Sequence, residues 1–415
     1  MRICALMLLA CAPLAAQHDM SHMSGMDMKD MPGMAGMSHS ADEPMQASGT
    51  SFNPAASPMS DMVHLKAGSW KLMFHGVVFL TEIQQTGPRG ADKFASMNWF
   101  MSEASHPLGG GSFSARAMVS LDPATVTGRR YPELFQTGET AFGKPILDGQ
   151  HPHDLFMELA LEYRHPLGDR GRFWLYAAPV GDPALGPVAF PHRVSAAELP
   201  QATLGHHLED STHISDEVVT VGASRGMFGL EASGFHGGEP NENRWNIDHG
   251  AIDSWSGRLT VAPNTRWSAQ VSAGRLTHPE ALEPGDQTRV TASATYVRPF
   301  HEGDWATSLI WGRVHKTATG DNLNGFDLES VVRFRGVNYV TGRLEEVDKD
   351  ELVTPGIFRI GAYTAGYTRD FHWIPRIATG VGANLTFYSM ATQVQRDYGS
   401  HPVAALVFLR LRLRD

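Results

Sequence analysis

A two-residue alternation of apolar and polar side chains, sustained from Val63 to the end, constrains this chain more than any other feature. It is plainest at the C-terminus, where Val407, Leu409, Leu411 and Leu413 alternate with Arg410, Arg412 and Arg414. Such a segment is a strand with one apolar and one charged face. The same signal runs through Trp70, Leu72, Phe74, Val78 and Leu80, and through Phe113, Ala115, Ala117, Val119 and Leu121 against Arg116. Two further segments read the same way, with Ala95, Met97, Trp99 and Met101 against Ser96 and Asn98, and Leu155, Met157, Leu159, Leu161 and Tyr163 against Glu158 and Glu162. On this reading the apolar sets face outward. Later segments continue it, with Leu259 and Val261 opposing Arg258, and Leu328 and Val332 opposing Glu329 and Arg333.

A soluble sandwich also alternates, but it turns the apolar face inward and has no reason to sort its connections by length. Here strands are predicted near 69–85, 93–105, 111–121, 152–166, 172–180, 216–224, 227–236, 254–263, 266–276, 287–299, 304–316, 324–335, 338–347, 356–369, 376–388 and 402–414. Tight links (106–111, 224–226, 263–266, 335–336) alternate with long ones (122–150, 181–215, 237–253). Short turns on one side, long loops on the other and an even strand count define an outer-membrane barrel. The expected fold is therefore all-β: a transmembrane antiparallel β-barrel of about sixteen strands with long extracellular loops. Its place is the outer membrane of a Gram-negative-type bacterium, with both termini periplasmic. A barrel of this size encloses more space than wall side chains can fill. Arg116, Arg164, Arg258, Arg333, Arg410 and Arg412 with Glu158, Glu162, Glu231, Asp327 and Glu329 are expected to line it, and the long loops to fold inward.

The net charge of −10 argues against a nucleic-acid partner. Residues 1–17 read as a secretory signal peptide: Arg2, an apolar core from Ile3 to Leu14, and small residues before Gln17. Both cysteines, Cys4 and Cys11, fall within it. Leu8-Leu9-Ala10-Cys11 loosely resembles a lipoprotein box, and ordinary cleavage is the expectation.

Residues 18–62 form a leader of different composition, with 63–415 as the barrel. The leader carries His18, Met20, His22, Met23, Met26, Met28, Met31, Met34, Met37 and His39 among Gly, Ser, Asp and Pro. With so little to bury, the segment is expected to be disordered when free. Thioethers are soft neutral ligands that select Cu(I) or Ag(I), and imidazole adds capacity for Cu(II). Methionine is otherwise core filler, and this tail has no core to fill.

Three loop clusters hold harder ligands. One contains His151, His153 and Asp154; the second His206, His207, Glu209, Asp210, His213 and Asp216; the third runs from Asn241 to His249, with His236 just before it. Paired imidazoles and carboxylates suit Zn(II), Cu(II) or Ni(II). The plain alternative is that they cap turns and pair with arginine in a packed loop.

A cleaved signal, a leader with methionines two or three residues apart from Met20 to Met37, and a barrel together resemble the copper-resistance protein B family. The resemblance covers the leader specifically and the barrel in layout. It implies a non-enzymatic outer-membrane protein that binds copper and contributes to copper tolerance by sequestration or export. Its partners would be outer-membrane lipid, metal ions and, through a periplasmic leader, periplasmic copper-handling proteins. The alternative is a general porin or solute channel with an incidental leader. A barrel hydrolase built on Ser211 and His213 is the third reading.

Overall fold

The computed structural model describes residues 45–59 and 61–414. The signal peptide and the predicted leader ligands His18, Met20, His22, Met23, Met26, Met28, Met31, Met34, Met37 and His39 lie outside the described residues.

The alternating segments pair with their sequence neighbours, each antiparallel, into one closed barrel. Strand Trp70–Gln85 pairs with Lys93–Leu108, and Lys93–Leu108 with Gly111–Val119. Gly111–Val119 then pairs with Phe156–Leu167, and Phe156–Leu167 with Gly171–Gly181. From Ser215–Arg225 the sheet continues in chain order to Val403–Leu413, which closes the ring on residues 77–85. A short strand, Met62–Ala67, pairs with residues 70–75 of the same partner. It continues the line of the last strand, so first and last strands share one of sixteen wall positions. Asp61 and Arg412 join the two with an ion pair of 3.0 Å.

Outward side chains make the apolar band that lipid requires. Leu161, Leu230, Val271, Leu309, Leu344 and Val407 are all exposed. Near the tight turns Trp267 packs on Tyr296, and Tyr296 on Trp305, with ring centroids 4.7 and 5.6 Å apart. Aromatic girdles of this kind mark the membrane interface of outer-membrane barrels. No helix among the described residues is long and apolar enough to cross a membrane; the wall crosses it with strands.

Four features differ from the sequence reading. Ala95, Met97, Trp99 and Met101 face inward, and Phe94 and Phe100 face out. Register sets this, because Trp99 lies opposite Val77 and Met101 opposite His75 on the luminal face. Met157 is also internal, since the register breaks between Met118 and Val119. The 122–150 connection is no plain loop, for it holds a hairpin, Tyr131–Ala141 with Lys144–Gln150. Finally, residues 45–59, assigned by composition to the leader, fold inside the barrel. Gln46 donates to Glu162 (2.8 Å) and the Gly49 amide to Glu158 (3.1 Å), while Thr50 Oγ1 accepts from Arg258 (2.9 Å).

Candidate metal centre in the barrel lumen

The connection between strands Gly171–Gly181 and Ser215–Arg225 turns inward and crosses the lumen from wall to wall. Its Ala184 amide donates to Ser233 Oγ (2.8 Å) and its Gly186 amide to Ser272 Oγ (2.9 Å). Ser195 Oγ donates to Glu329 (3.1 Å) and shares a hydrogen bond with the Ser308 hydroxyl (2.7 Å). Asn384 holds the Glu198 carbonyl at 3.1 Å, and the Glu198 carboxylate pairs with Arg410. Of the wall charges expected to line the lumen, all but Arg164 and Arg333 are buried, and they pair with one another, with this loop or with the N-terminal segment. Arg116 reaches Glu103 and Glu158, and Arg343 reaches Glu329 and the Ala202 carbonyl.

One helical turn, His206–Glu209, lies against the wall where Gly312 and Gly325 pair across two strands. A Cβ at Gly312 would come within 2.2 Å of the Leu208 carbonyl oxygen, so the wall is bare there to admit the turn. Seating it collects five histidines. The His206 ring lies 5.1 Å from His207, 5.3 Å from His213 and 6.4 Å from His151, between centroids. His151 lies 5.9 Å from His207, and His153 5.7 Å from His213. Asp210 fixes His206 through its Nδ1 at 2.6 Å. Its carbonyl accepts from His213 Nδ1 at 2.8 Å, which leaves His213 Nε2 without a partner.

The residue of the cluster that meets carboxylates in a ligand-like group is His207. Its Nδ1 stands 3.6 Å from Glu239, and ligand atoms of His207, Glu239 and Glu280 lie within 4.8 Å of one another. Both ring nitrogens of His207 and one Glu239 oxygen are buried without a hydrogen-bond partner. Buried polar atoms are normally satisfied, so these unpartnered atoms, converging with carboxylates, suit a bound cation. Burial, then the neighbouring His206, holds the His207 imidazole far below its ordinary pKa. Burial likewise takes His151 down to about 4 and His213 to about 3. Burial and then Glu139 push Glu239 up to about 7, while burial and Glu239 raise Glu280. Neutral imidazoles need lose no proton before they bind a metal, and a cation between the two carboxyls would relieve their repulsion. The three donors, N/O in type, suit Zn(II), Cu(II) or Ni(II).

The other predicted residues take different places. His153 is held by Asp122 at 3.0 Å, and Asp154 by Arg244 at 3.0 Å. Glu209 turns away from the histidines toward Thr203 (3.4 Å), and buried Asp216 begins its strand outside the cluster. His249 is exposed at the surface and paired with Glu217 at 2.9 Å. Arg289 donates to Ser211 Oγ at 2.5 Å and His213 Nδ1 donates to a carbonyl, and among the described residues no hydrogen bond joins Ser211 to His213. Glu139, Glu239 and Glu280 escaped the sequence reading. They stand singly on three separate connections, and no local spacing marks them.

A scan against protein-family models finds no match, and neither does a search of curated proteins. Among solved structures the fold is that of outer-membrane porins. The chain is similar to the anion-selective porin from Comamonas acidovorans, with 13% identity, TM-score 0.51, and coverage of 82% of this chain and 99% of that one. It is equally similar to OmpF of Salmonella typhi, solved in complex with daunomycin: 9% identity, TM-score 0.51, 84% and 99% covered. At such identity the likeness defines the fold. With the lipid-facing band, it makes this an outer-membrane β-barrel of the Gram-negative type.

Proposed function

We propose that this porin-like barrel handles transition-metal ions in its lumen, copper foremost, and so contributes to copper tolerance. The observation that carries the reading is His207 with Glu239 and Glu280, half-buried residues whose ligand atoms converge within 4.8 Å, the two His207 nitrogens and one Glu239 oxygen being buried without a hydrogen-bond partner. The histidines around it supply further borderline ligands. A leader rich in thioethers adds soft ones, and copper is the ion that uses both kinds in its two oxidation states. The role proposed is binding and passage rather than catalysis.

The likeness to porins supports a second reading, a channel for another solute. Two experiments separate them. Metal analysis of the detergent-purified chain should find a divalent ion, and His207→Ala or Glu239→Gln should reduce its occupancy about tenfold or more. A deletion strain should lose tolerance to copper and silver, and complementation with the intact gene should restore it. Unchanged tolerance with altered uptake of an unrelated solute favours the channel.

A further inference from the structure

A second cluster of metal-binding side chains lies deeper in the barrel, away from His207. It surrounds a cavity of about 110 Å³ whose lining includes Met45, Met62, Met97, His75, Trp99 and His192. Asp304, Arg333 and Arg412 border the same cavity, each within three residues of a tight turn or of the chain's last strand end. This places it in the short-turn half of the barrel, whereas Glu239 and Glu280 sit on long connections at the other end.

Its polar atoms are poorly served by the protein. His192 Nε2 has a thioether for a neighbour, Met118 Sδ at 2.9 Å. Sulfur of this kind is a weak hydrogen-bond acceptor. His75 Nδ1 is buried without a partner, and its ring lies 6.4 Å from that of His192. Trp99 packs on both, 4.3 Å from His192 and 4.7 Å from His75 between centroids. Nor is the backbone loose, since the His192 carbonyl accepts from Asn53 at 3.0 Å. The lining carboxylates are engaged, Asp61 by Arg412 and Asp304 by Arg333.

Two buried imidazoles and a set of thioethers, with the carboxylate charge already neutralised, define a ligand chemistry. A divalent ion would bring two charges to a site whose carboxylates, Asp61 and Asp304, are already paired with Arg412 and Arg333, at high cost. A monovalent soft ion carries one, and sulfur prefers it. We propose that this chamber is a second metal site, selective for Cu(I) or Ag(I), with His192 and His75 on its lining as nitrogen ligands and Met118 Sδ, outside the lining but against His192 Nε2, as the sulfur that completes the set. The inference deepens the reading of the barrel as a metal handler and rests on it for its biological sense, although its donor set is separate. His153 also lines the chamber and stands 5.7 Å from His213, which stands 5.3 Å from His206. A file of imidazoles therefore connects the soft site to the carboxylate-bearing one.

The test uses the full-length chain in detergent, with the seven leader methionines, Met20 to Met37, changed to leucine and His18, His22 and His39 to alanine. Ag(I) is titrated against a competing chelator, and Co(II) is followed by its absorption spectrum. The expected result is about one Ag(I) retained per chain, with nitrogen and sulfur in its first shell by X-ray absorption. Adding Met118→Leu, a near-isosteric change, should weaken Ag(I) more than about tenfold and leave Co(II) unchanged. Adding His192→Phe should do the same. If the leader-silenced chain migrates as a folded barrel yet holds no Ag(I), the chamber is not a site. Ag(I) affinity unmoved by Met118→Leu overturns it as well. Loss of Co(II) binding with Ag(I) kept sinks the His207 centre and leaves this site standing.

Discussion

At Gly138 the backbone adopts φ +112°, a region L side chains rarely enter, and a Cβ there would lie 2.6 Å from the His207 ring. Glycine thus does two things at this position: it permits the turn and gives the imidazole a flat floor. Gly138→Ala should cost roughly 1–3 kcal/mol of local strain and displace His207, so Co(II) affinity should fall while the barrel still forms. A Co(II) titration beside the heat-dependent gel mobility checks both halves; unchanged affinity would show that the ring does not need this floor. Gly312→Ala should act from the other side by lifting Leu208 off the wall. Such residues are invisible to sequence reading. Nothing local in Thr137-Gly138-Glu139 says that a histidine almost 70 positions on will rest there.

The inward loop depends on buried ion pairs. Arg410 is fully buried and divides itself between Glu198 on the loop and Asp370 on the wall. Removing one partner of such a pair typically costs about 3–5 kcal/mol, because the other charge is stranded. Glu198→Ala should lower the unfolding temperature and expose the Phe190–Ala202 stretch to protease; Arg193→Met is the comparison, since Arg193 bridges Asp210 and Asp327. Unchanged melting would mean the loop is held by its apolar contacts alone. The N-terminal segment makes its own prediction. Deleting residues 45–59 should raise single-channel conductance in planar bilayers, and silencing the leader methionines should not. Equal conductance would show that this segment does not obstruct the passage.

Across the whole molecule, the strands and their order were legible because lipid outside and charge inside impose a strict period of two. The lumen was not. Alternation tells that two faces differ, not which is inside: polar Ser96 and Asn98 share the outward face of their strand with Phe94 and Phe100 and bond to Thr125, so the polar set there does not mark the lumen, and Met97, Trp99 and Met101 face it instead. The histidine loops were legible as residues, from their density around His206, but not as a site, since Glu239, Glu280 and Gly138 reach it only through tertiary contact. Phe190-Pro191-His192 carried no spacing that set it apart, although it lines the softer chamber.

One feature of the wall governs how such a barrel is made. The ring is sealed where residues 404–412 meet 77–85, close to the two ends of the described chain, and Met62–Ala67 completes that seam. Contacts so distant in sequence are slow to form. The stretch just before the seam, residues 45–59, is already inside, bound to Asp182 and His192 of the loop. The sheet must therefore curl around its contents and lock last. A chain that sealed early would shut the loop out, and both metal chambers with it, so assembly has a required order.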